Sequence, residues 1–266
     1  MSPRRRLVVA LVGGLVVVLV VVGGLRLVGF GGGGAGPAVL PAQDRPGPVL
    51  LVPGYGGSRD GLLSLARRIE ATGRTTEVLT LPGNGTGDLS AQVDLLDGVV
   101  GKMLAAGAPS VDVIGYSAGG VVAGLWVARD GGATKARRVI TLGSPLAGTT
   151  VAAAAAASAP DACPAACREL APGSADLVEL ATAKVGTAVP WLSIWTTEDR
   201  VVTPPDSARL DGAVNVPVQS ICPGATVSHG ELPSDAAVTG LVLEAISPAA
   251  LPAGGDCAVL RAAGAG

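Results

Sequence analysis

The sequence predicts an α/β domain with a mostly parallel central sheet and helices on both of its faces. Short apolar runs alternate along the chain with longer segments of helical periodicity, as a parallel sheet with crossover helices requires. Segment 48–52 is almost wholly apolar, which is typical of a central strand buried on both faces. About 230 residues follow the N-terminal segment, enough for one domain with a sizeable core.

The elements can be assigned in chain order from these two periodicities. The predicted strands are 48–52, 76–81, 111–114, 138–142, 191–196 and 214–221. The predicted helices are one that ends near Gly73, then 88–106, 121–127 and 234–246. The domain therefore spans residues 48–246, and residues 247–266 form a Gly/Ala/Pro-rich tail with Cys257 as its only obvious tether.

The strand–helix alternation is interrupted between residues 149 and 189. This stretch is alanine-rich, contains three prolines and two cysteines, and shows no strand pattern. One interpretation is a lid-like helical insertion over the carboxyl edge of the sheet, where substrate walls are often found. An extended crossover helix with a surface loop fits the sequence equally well.

The N-terminal segment, residues 1–29, predicts export. Three arginines, Arg4 to Arg6, precede an uncharged apolar run over 7–25, which fits a signal peptide or a membrane anchor. Its length favours an uncleaved anchor, and the arginines keep that end cytoplasmic, so the rest of the chain faces outward. Residues 30–47 are rich in Gly, Pro and Ala and are interpreted as a linker. The expected location is extracytoplasmic, either secreted or anchored to the cell membrane.

Cysteine content agrees with export. The chain has four cysteines, and an even number in an exported protein predicts two disulfides. Three pairings are possible; we favour a local Cys163–Cys167 bond and a Cys222–Cys257 bond that holds the tail.

Charge and aromatic content exclude one class of partner. After residue 35, 15 basic side chains face 21 acidic ones, and aromatic residues make up 2% of the chain. Nucleic acid is therefore not an expected partner. A monomer is expected.

A serine is placed where a strand turns into a helix, in Gly115-Tyr116-Ser117-Ala118-Gly119. This context is that of a nucleophile elbow, in which the glycines allow a very tight turn. In a chain with 40 glycines the motif alone is weak. The alternative is a glycine-rich turn with a bystander serine.

A catalytic serine needs a base and an acid to orient that base. His229 is the only histidine, and it follows the last predicted strand. Asp199 directly follows the preceding strand and is the expected acid; Glu198 is adjacent, and Asp206 and Asp211 are more distant alternatives.

Two backbone N–H groups are expected to stabilise the developing oxyanion. Ala118 follows the nucleophile, and Tyr55 lies in the glycine-rich turn after the first strand. This machinery requires no cofactor, and a zinc site is disfavoured because the single histidine is already used.

The order of these elements resembles an α/β-hydrolase of the bacterial triacylglycerol lipase type, in particular the class 2 lipases typified by Bacillus secreted lipases. The resemblance covers most of 48–246 and is most specific at 193–202 and 207–216, and segment 139–145 also resembles the lipase pattern after the elbow. It implies Ser117 as nucleophile, Asp199 as acid, His229 as base, and Tyr55 and Ala118 as oxyanion donors. Such lipases usually carry His-Gly at the oxyanion turn, where this chain has Pro53-Gly54, and the minimal members have a shorter 149–189 segment.

The expected function is hydrolysis of carboxylic esters, of lipids above all, through an acyl-enzyme on Ser117. A cell-envelope acyltransferase that uses the same residues is one alternative. A catalytically inactive hydrolase-fold protein that binds a partner is another, and the intact set of serine, acid and histidine argues against it.

Overall fold

A six-stranded, fully parallel sheet organises the part of the chain that the computed structural model describes, residues 39–265. The strand order is β2-β1-β3-β4-β5-β6. The strands are β1 (Val49–Val52), β2 (Thr76–Val78), β3 (Val111–Tyr116), β4 (Ala136–Leu142), β5 (Trp191–Trp195) and β6 (Val214–Pro217). The predicted segment 1–29 and the first residues of the predicted linker lie outside the described residues.

Helices cover both faces of the sheet because the central strands are apolar on both sides. They are α1 (Asp60–Glu70), α2 (Leu89–Ala105), α3 (Ala118–Arg129), α4 (Thr150–Ser158), α5 (Ala165–Glu169), α6 (Ala175–Ala183), α7 (Val185–Ala188), α8 (Val218–Ile221), α9 (Ala236–Ala245) and α10 (Cys257–Ala265). Along β1, Leu50 and Val52 pack towards α2, α3 and α6, whereas Val49 and Leu51 pack towards α1, α9 and α10. None of these helices is both long and apolar enough to cross a membrane.

The last predicted strand, 214–221, is wrong in its second half. Strand β6 ends at Pro217, and Val218–Ile221 forms the short helix α8. Val218, Ile221 and Cys222 are all buried. Their spacing of three and four residues places them on one helical face, and this burial pattern favours helix over strand.

The C-terminal tail is held by more than Cys257. Helix α10 packs against α9, and its residue Leu260 is buried in the hydrophobic core on that face of the sheet. Two glycines allow this close approach: a Cβ on Gly240 would lie 2.1 Å from the Leu260 carbonyl oxygen, and one on Gly264 would lie 1.9 Å from that of Ala236. The helix is therefore docked by backbone-to-backbone packing as well as by the disulfide.

Segment 149–189 forms the four helices α4 to α7. Helix α6 is the crossover between β4 and β5 and packs on α3, with Leu180 against Gly124 and Arg129 paired to Asp176 and Glu179. Helices α4 and α5 instead lie over the carboxyl edge. Glu169 at the end of α5 accepts a hydrogen bond from the Leu89 N–H at 2.8 Å. This bond attaches the overlying segment to the first turn of α2.

The opposite edge of the sheet holds a buried ionic cluster. Asp112 on β3 accepts hydrogen bonds from Arg137 on β4 and from Arg74. Arg137 also donates to the carbonyl oxygens of Gln43 and Ile246. The cluster therefore joins the sheet, residues just before β1 and the end of α9.

Candidate active site

The site lies where the direction of the sheet connections reverses. The chain leaves β1 towards β2, and leaves β3 towards β4 on the other side. In open α/β sheets, ligands bind outside the carboxyl ends of the strands at such a switch point. Tyr55 follows β1 and Ser117 follows β3, so both lie there.

Ser117 occupies a sharp turn between β3 and α3. Its backbone has φ 52° and ψ −126°, a strained conformation for a residue with a side chain. A Cβ on Gly115 would lie 2.4 Å from the Gly120 Cα, and one on Gly119 would lie 2.2 Å from the Val52 carbonyl oxygen. The two flanking glycines therefore let α3 start against the strand, and the turn presents the serine hydroxyl at its tip.

Three predicted side chains meet at this point. His229 Nε2 lies 3.0 Å from Ser117 Oγ, and His229 Nδ1 lies 2.6 Å from Asp199 Oδ2. All three residues are buried: Ser117 is 9% exposed, His229 is 7% exposed and Asp199 is 5% exposed. With the Nδ1 proton donated to the carboxylate, Nε2 is free to accept the serine proton.

Asp199 is held by its backbone surroundings. Its Oδ1 accepts hydrogen bonds from the N–H groups of Val201 and Val202, both at 2.8 Å. The second oxygen is therefore aimed at the imidazole. Of the alternative acids, Glu198 is exposed, Asp206 lies in a 3₁₀ turn over Pro205–Ala208, and Asp211 lines a separate groove beside α6. None of them contacts His229 by a hydrogen bond.

Tyr116 contacts His229 through its hydroxyl and its ring. The sequence did not predict this contact. Its hydroxyl donates to the His229 carbonyl oxygen at 3.2 Å, and the two ring centroids are 5.2 Å apart. Burial, followed by the negative charge of Asp199, raises the pKa of Tyr116 to about 12. The phenol consequently remains a neutral donor over the pH range of most enzymes.

A capping box fixes the other side of the histidine loop. The Glu231 carboxylate accepts hydrogen bonds from the N–H and hydroxyl of Ser228, at 2.8 and 2.5 Å, and these bonds lower the pKa of Glu231. The spacing Ser-x-x-Glu is a sequence signal for this motif. It could have identified both residues as neighbours that hold His229 in place.

The two predicted oxyanion donors lie in the turns that follow β3 and β1. Ala118 is the first residue of α3, and Tyr55 is in a turn closed by the Gly57 N–H to Gly54 carbonyl bond at 3.0 Å. Neither N–H of Ala118 or Tyr55 is used in a hydrogen bond among residues 39–265. A Cβ on Gly54 would lie 2.8 Å from that of Ser117, so the turn approaches the serine closely.

An apolar pocket of about 260 Å³ opens beside Ser117. Its walls come from the oxyanion turn, from α4 and α5 and from the loop after β5: Tyr55, Val151, Ala152, Ala155, Leu170 and Val201. Cys167 also lines it and is bonded to Cys163. The second predicted disulfide, Cys222–Cys257, is present as well.

No protein-family model and no curated protein matches the sequence. Solved structures do resemble the chain. Lipase B of Aspergillus fumigatus has a TM-score of 0.62 at 17% identity, over 84% of this chain and 61% of that chain. Lipase BlEst2 of Bacillus licheniformis in its mature form has a TM-score of 0.52 at 17% identity, over 68% of this chain and 85% of that chain. The chain has the α/β-hydrolase fold. It spans under two thirds of the length of the fungal lipase.

The groups gathered at the site are a serine hydroxyl, an imidazole and a carboxylate, with two unbonded backbone N–H groups nearby. Across residues 39–265, no group of His, Cys, Asp and Glu side chains could hold a metal ion, and all four cysteines are in disulfides. A hydroxyl, a base, an acid and two N–H groups suffice for acyl transfer.

Proposed function

We propose that this protein is a serine hydrolase of carboxylic esters, of the lipase or esterase kind. The observation that carries the proposal is the continuous chain of hydrogen bonds from Ser117 through His229 to Asp199. Ser117 Oγ would attack the ester carbonyl carbon while His229 takes its proton. The N–H groups of Tyr55 and Ala118 would stabilise the oxyanion, and water activated by His229 would release the acid.

The pocket beside Ser117 supports an apolar acyl group as the substrate. The α4 and α5 side chains in its wall are those of alanine, valine and cysteine, together with Leu170 just after α5. Burial of an alkyl chain there would contribute about 0.8 kcal/mol per methylene. Lipid esters, the substrates implied by the resemblance to bacterial class 2 lipases, fit this wall.

Export to the outside of the cell is part of the proposal. The two disulfides support an oxidising compartment, and the arginine-flanked apolar segment 7–25 supports membrane targeting. Cell fractionation and mass spectrometry of the mature N-terminus would distinguish a released protein from an anchored one. Light scattering would test the expected monomer.

The activity is tested by replacing the nucleophile. The Ser117→Ala variant should lose hydrolysis of p-nitrophenyl esters of short and long acyl chains, and should no longer be labelled by a fluorophosphonate probe. Ser58→Ala, which changes an exposed serine in the oxyanion turn region, should still be labelled. Undiminished ester hydrolysis by folded Ser117→Ala would refute the assignment.

A further inference from the structure

Two separate depressions border the catalytic residues. The apolar pocket of about 260 Å³ is lined by Ser117 but not by His229. A second depression of about 450 Å³ is lined by His229 but not by Ser117. Val201 lines both.

Ester cleavage assigns one part of the substrate to each depression. When Ser117 Oγ bonds to the carbonyl carbon, the bond from that carbon to the alcohol oxygen breaks, and the His229 imidazolium gives its proton to that oxygen. The acyl part therefore stays on the serine, while the departing alcohol lies beside the histidine. This division matches the separation of the two depressions.

The depression beside His229 has a different chemistry from the acyl pocket. Its wall carries a carboxylate on Glu198, a guanidinium on Arg200 and the polar residues Thr226 and Ser228. Neither Glu198 nor Arg200 makes an ion pair or a side-chain hydrogen bond with another residue in the range 39–265. Both side chains are exposed, so both charges are available to a ligand.

We infer that this depression is the alcohol-binding subsite, and that it selects esters whose alcohol carries one negative and one positive group. The inference rests on the proposed esterase function. A single-chain zwitterionic phospholipid has this chemistry: its phosphate would pair with Arg200 and its ammonium with Glu198, while its one acyl chain enters the apolar pocket. Neutral alcohols would leave both charges without a partner.

The test compares two esters of the same acyl chain, a lysophosphatidylcholine and a monoacylglycerol, both below their micellar concentrations. The quantity measured is the ratio of their kcat/KM values. We expect the wild type to prefer the zwitterionic ester, and Glu198→Gln and Arg200→Gln each to lower the ratio about tenfold, equivalent to about 1.4 kcal/mol. The ratio is taken at one pH, so any common effect of the lost charge on His229 cancels.

Arg209→Gln is the matched control, because Arg209 is exposed and lines a groove away from the triad. It should leave the ratio unchanged. A wild type without preference, or a ratio that neither variant alters, would overturn the inference while p-nitrophenyl ester hydrolysis still upheld the proposed function. A wild type that neither hydrolyses any ester nor reacts with the fluorophosphonate probe would instead overturn both the proposed function and this inference.

Discussion

Both carboxylate oxygens of Asp199 accept hydrogen bonds, Oδ1 from the backbone and Oδ2 from His229. Replacing one of these oxygens by an NH₂ group should therefore disable the site. In Asp199→Asn, the amide oxygen would keep the bonds from Val201 and Val202, and the NH₂ group would face His229 Nδ1. The imidazole would then carry its proton on Nε2, where it cannot accept the proton of Ser117. We expect kcat to fall about 10³–10⁴-fold. Kinetics on a p-nitrophenyl ester measure this.

The alternative acids supply the controls for this prediction. Glu198→Gln and Asp206→Asn remove neighbouring charges without touching the hydrogen bond to His229. Neither should approach the loss seen with Asp199→Asn on a neutral ester. A loss of 10³-fold in Asp206→Asn would show that the acid had been misassigned.

The raised pKa of Tyr116 should make the free energy of unfolding depend on pH in the alkaline range. Its pKa is raised in the folded protein, from about 10 to about 12, by burial and by Asp199. The unfolded chain thus releases this proton first, and the folded state is progressively disfavoured as the pH rises from 10 to 12. Stability that is fully present below pH 10 should decrease by roughly 2–3 kcal/mol over that window.

The comparison of Tyr116→Phe with the wild type isolates this effect. Urea unfolding at pH 9, 10, 11 and 12 should show the additional loss in the wild type and not in Tyr116→Phe. Tyr55→Phe, which changes the only other tyrosine, should retain it. Parallel curves for wild type and Tyr116→Phe would contradict the raised pKa.

At the level of elements, the nucleophile turn depends on one close approach between α3 and β1. In Gly119→Ala the new methyl group would lie 2.2 Å from the Val52 carbonyl oxygen and 2.6 Å from that of Pro53. Neither carbonyl oxygen can move away without displacing the backbone at the end of β1. We expect a loss of about 1–3 kcal/mol in the free energy of unfolding, together with a fall in kcat because Ser117 is displaced.

Gly101→Ala is the matched substitution in an exposed part of α2, where a Cβ meets nothing within 4 Å. It should stabilise the protein by about 0.4–1 kcal/mol and leave kcat unchanged. Urea midpoints and ester hydrolysis of the two variants would be measured side by side. Equal stability of the two variants would exclude the steric account.

The elements that sequence periodicity predicted are those whose burial is decided locally. Strand β1 is a continuous apolar run, and β5 is interrupted only by Ser193, so the place of both strands in the sheet core could be predicted. Helices α8 and α10 could not be predicted in this way. The first follows a strand without a polar break, and the second depends on the contacts of Gly240 and Gly264 with a distant helix.

The candidate site was predictable for a related reason. Parallel strands bring their carboxyl ends to one edge, so Ser117 after β3 and Asp199 after β5 could be placed together from strand order, and His229 was assigned as the only histidine. The role of Tyr116 and the charges of the second depression depend on side-chain directions at loop ends. Strand order does not determine these.

Across residues 39–265, the candidate active site and a buried ionic cluster lie at opposite edges of the sheet. The triad lies at the carboxyl ends of the strands, and the Asp112 cluster lies at their amino ends. Asp112 is 0% exposed and holds Arg137, which is also 0% exposed. Arg74 and Arg137 both donate to the Ile246 carbonyl oxygen at the end of α9, where positive charge is favoured by the helix dipole.

This separation predicts opposite phenotypes for two alanine variants. Asp112→Ala leaves the Arg137 guanidinium buried without its carboxylate, and should lower the free energy of unfolding by about 3–5 kcal/mol. Below its unfolding transition it should retain the wild-type kcat, because no triad contact is altered. Ser117→Ala should lose activity and keep wild-type stability.

Asp94→Ala, an exposed change on α2, is the control, and its free energy of unfolding should stay within about 0.5 kcal/mol of the wild-type value. Urea unfolding and ester kinetics on the same samples decide the matter: a loss of kcat in folded Asp112→Ala would mean that the two edges are coupled through the sheet.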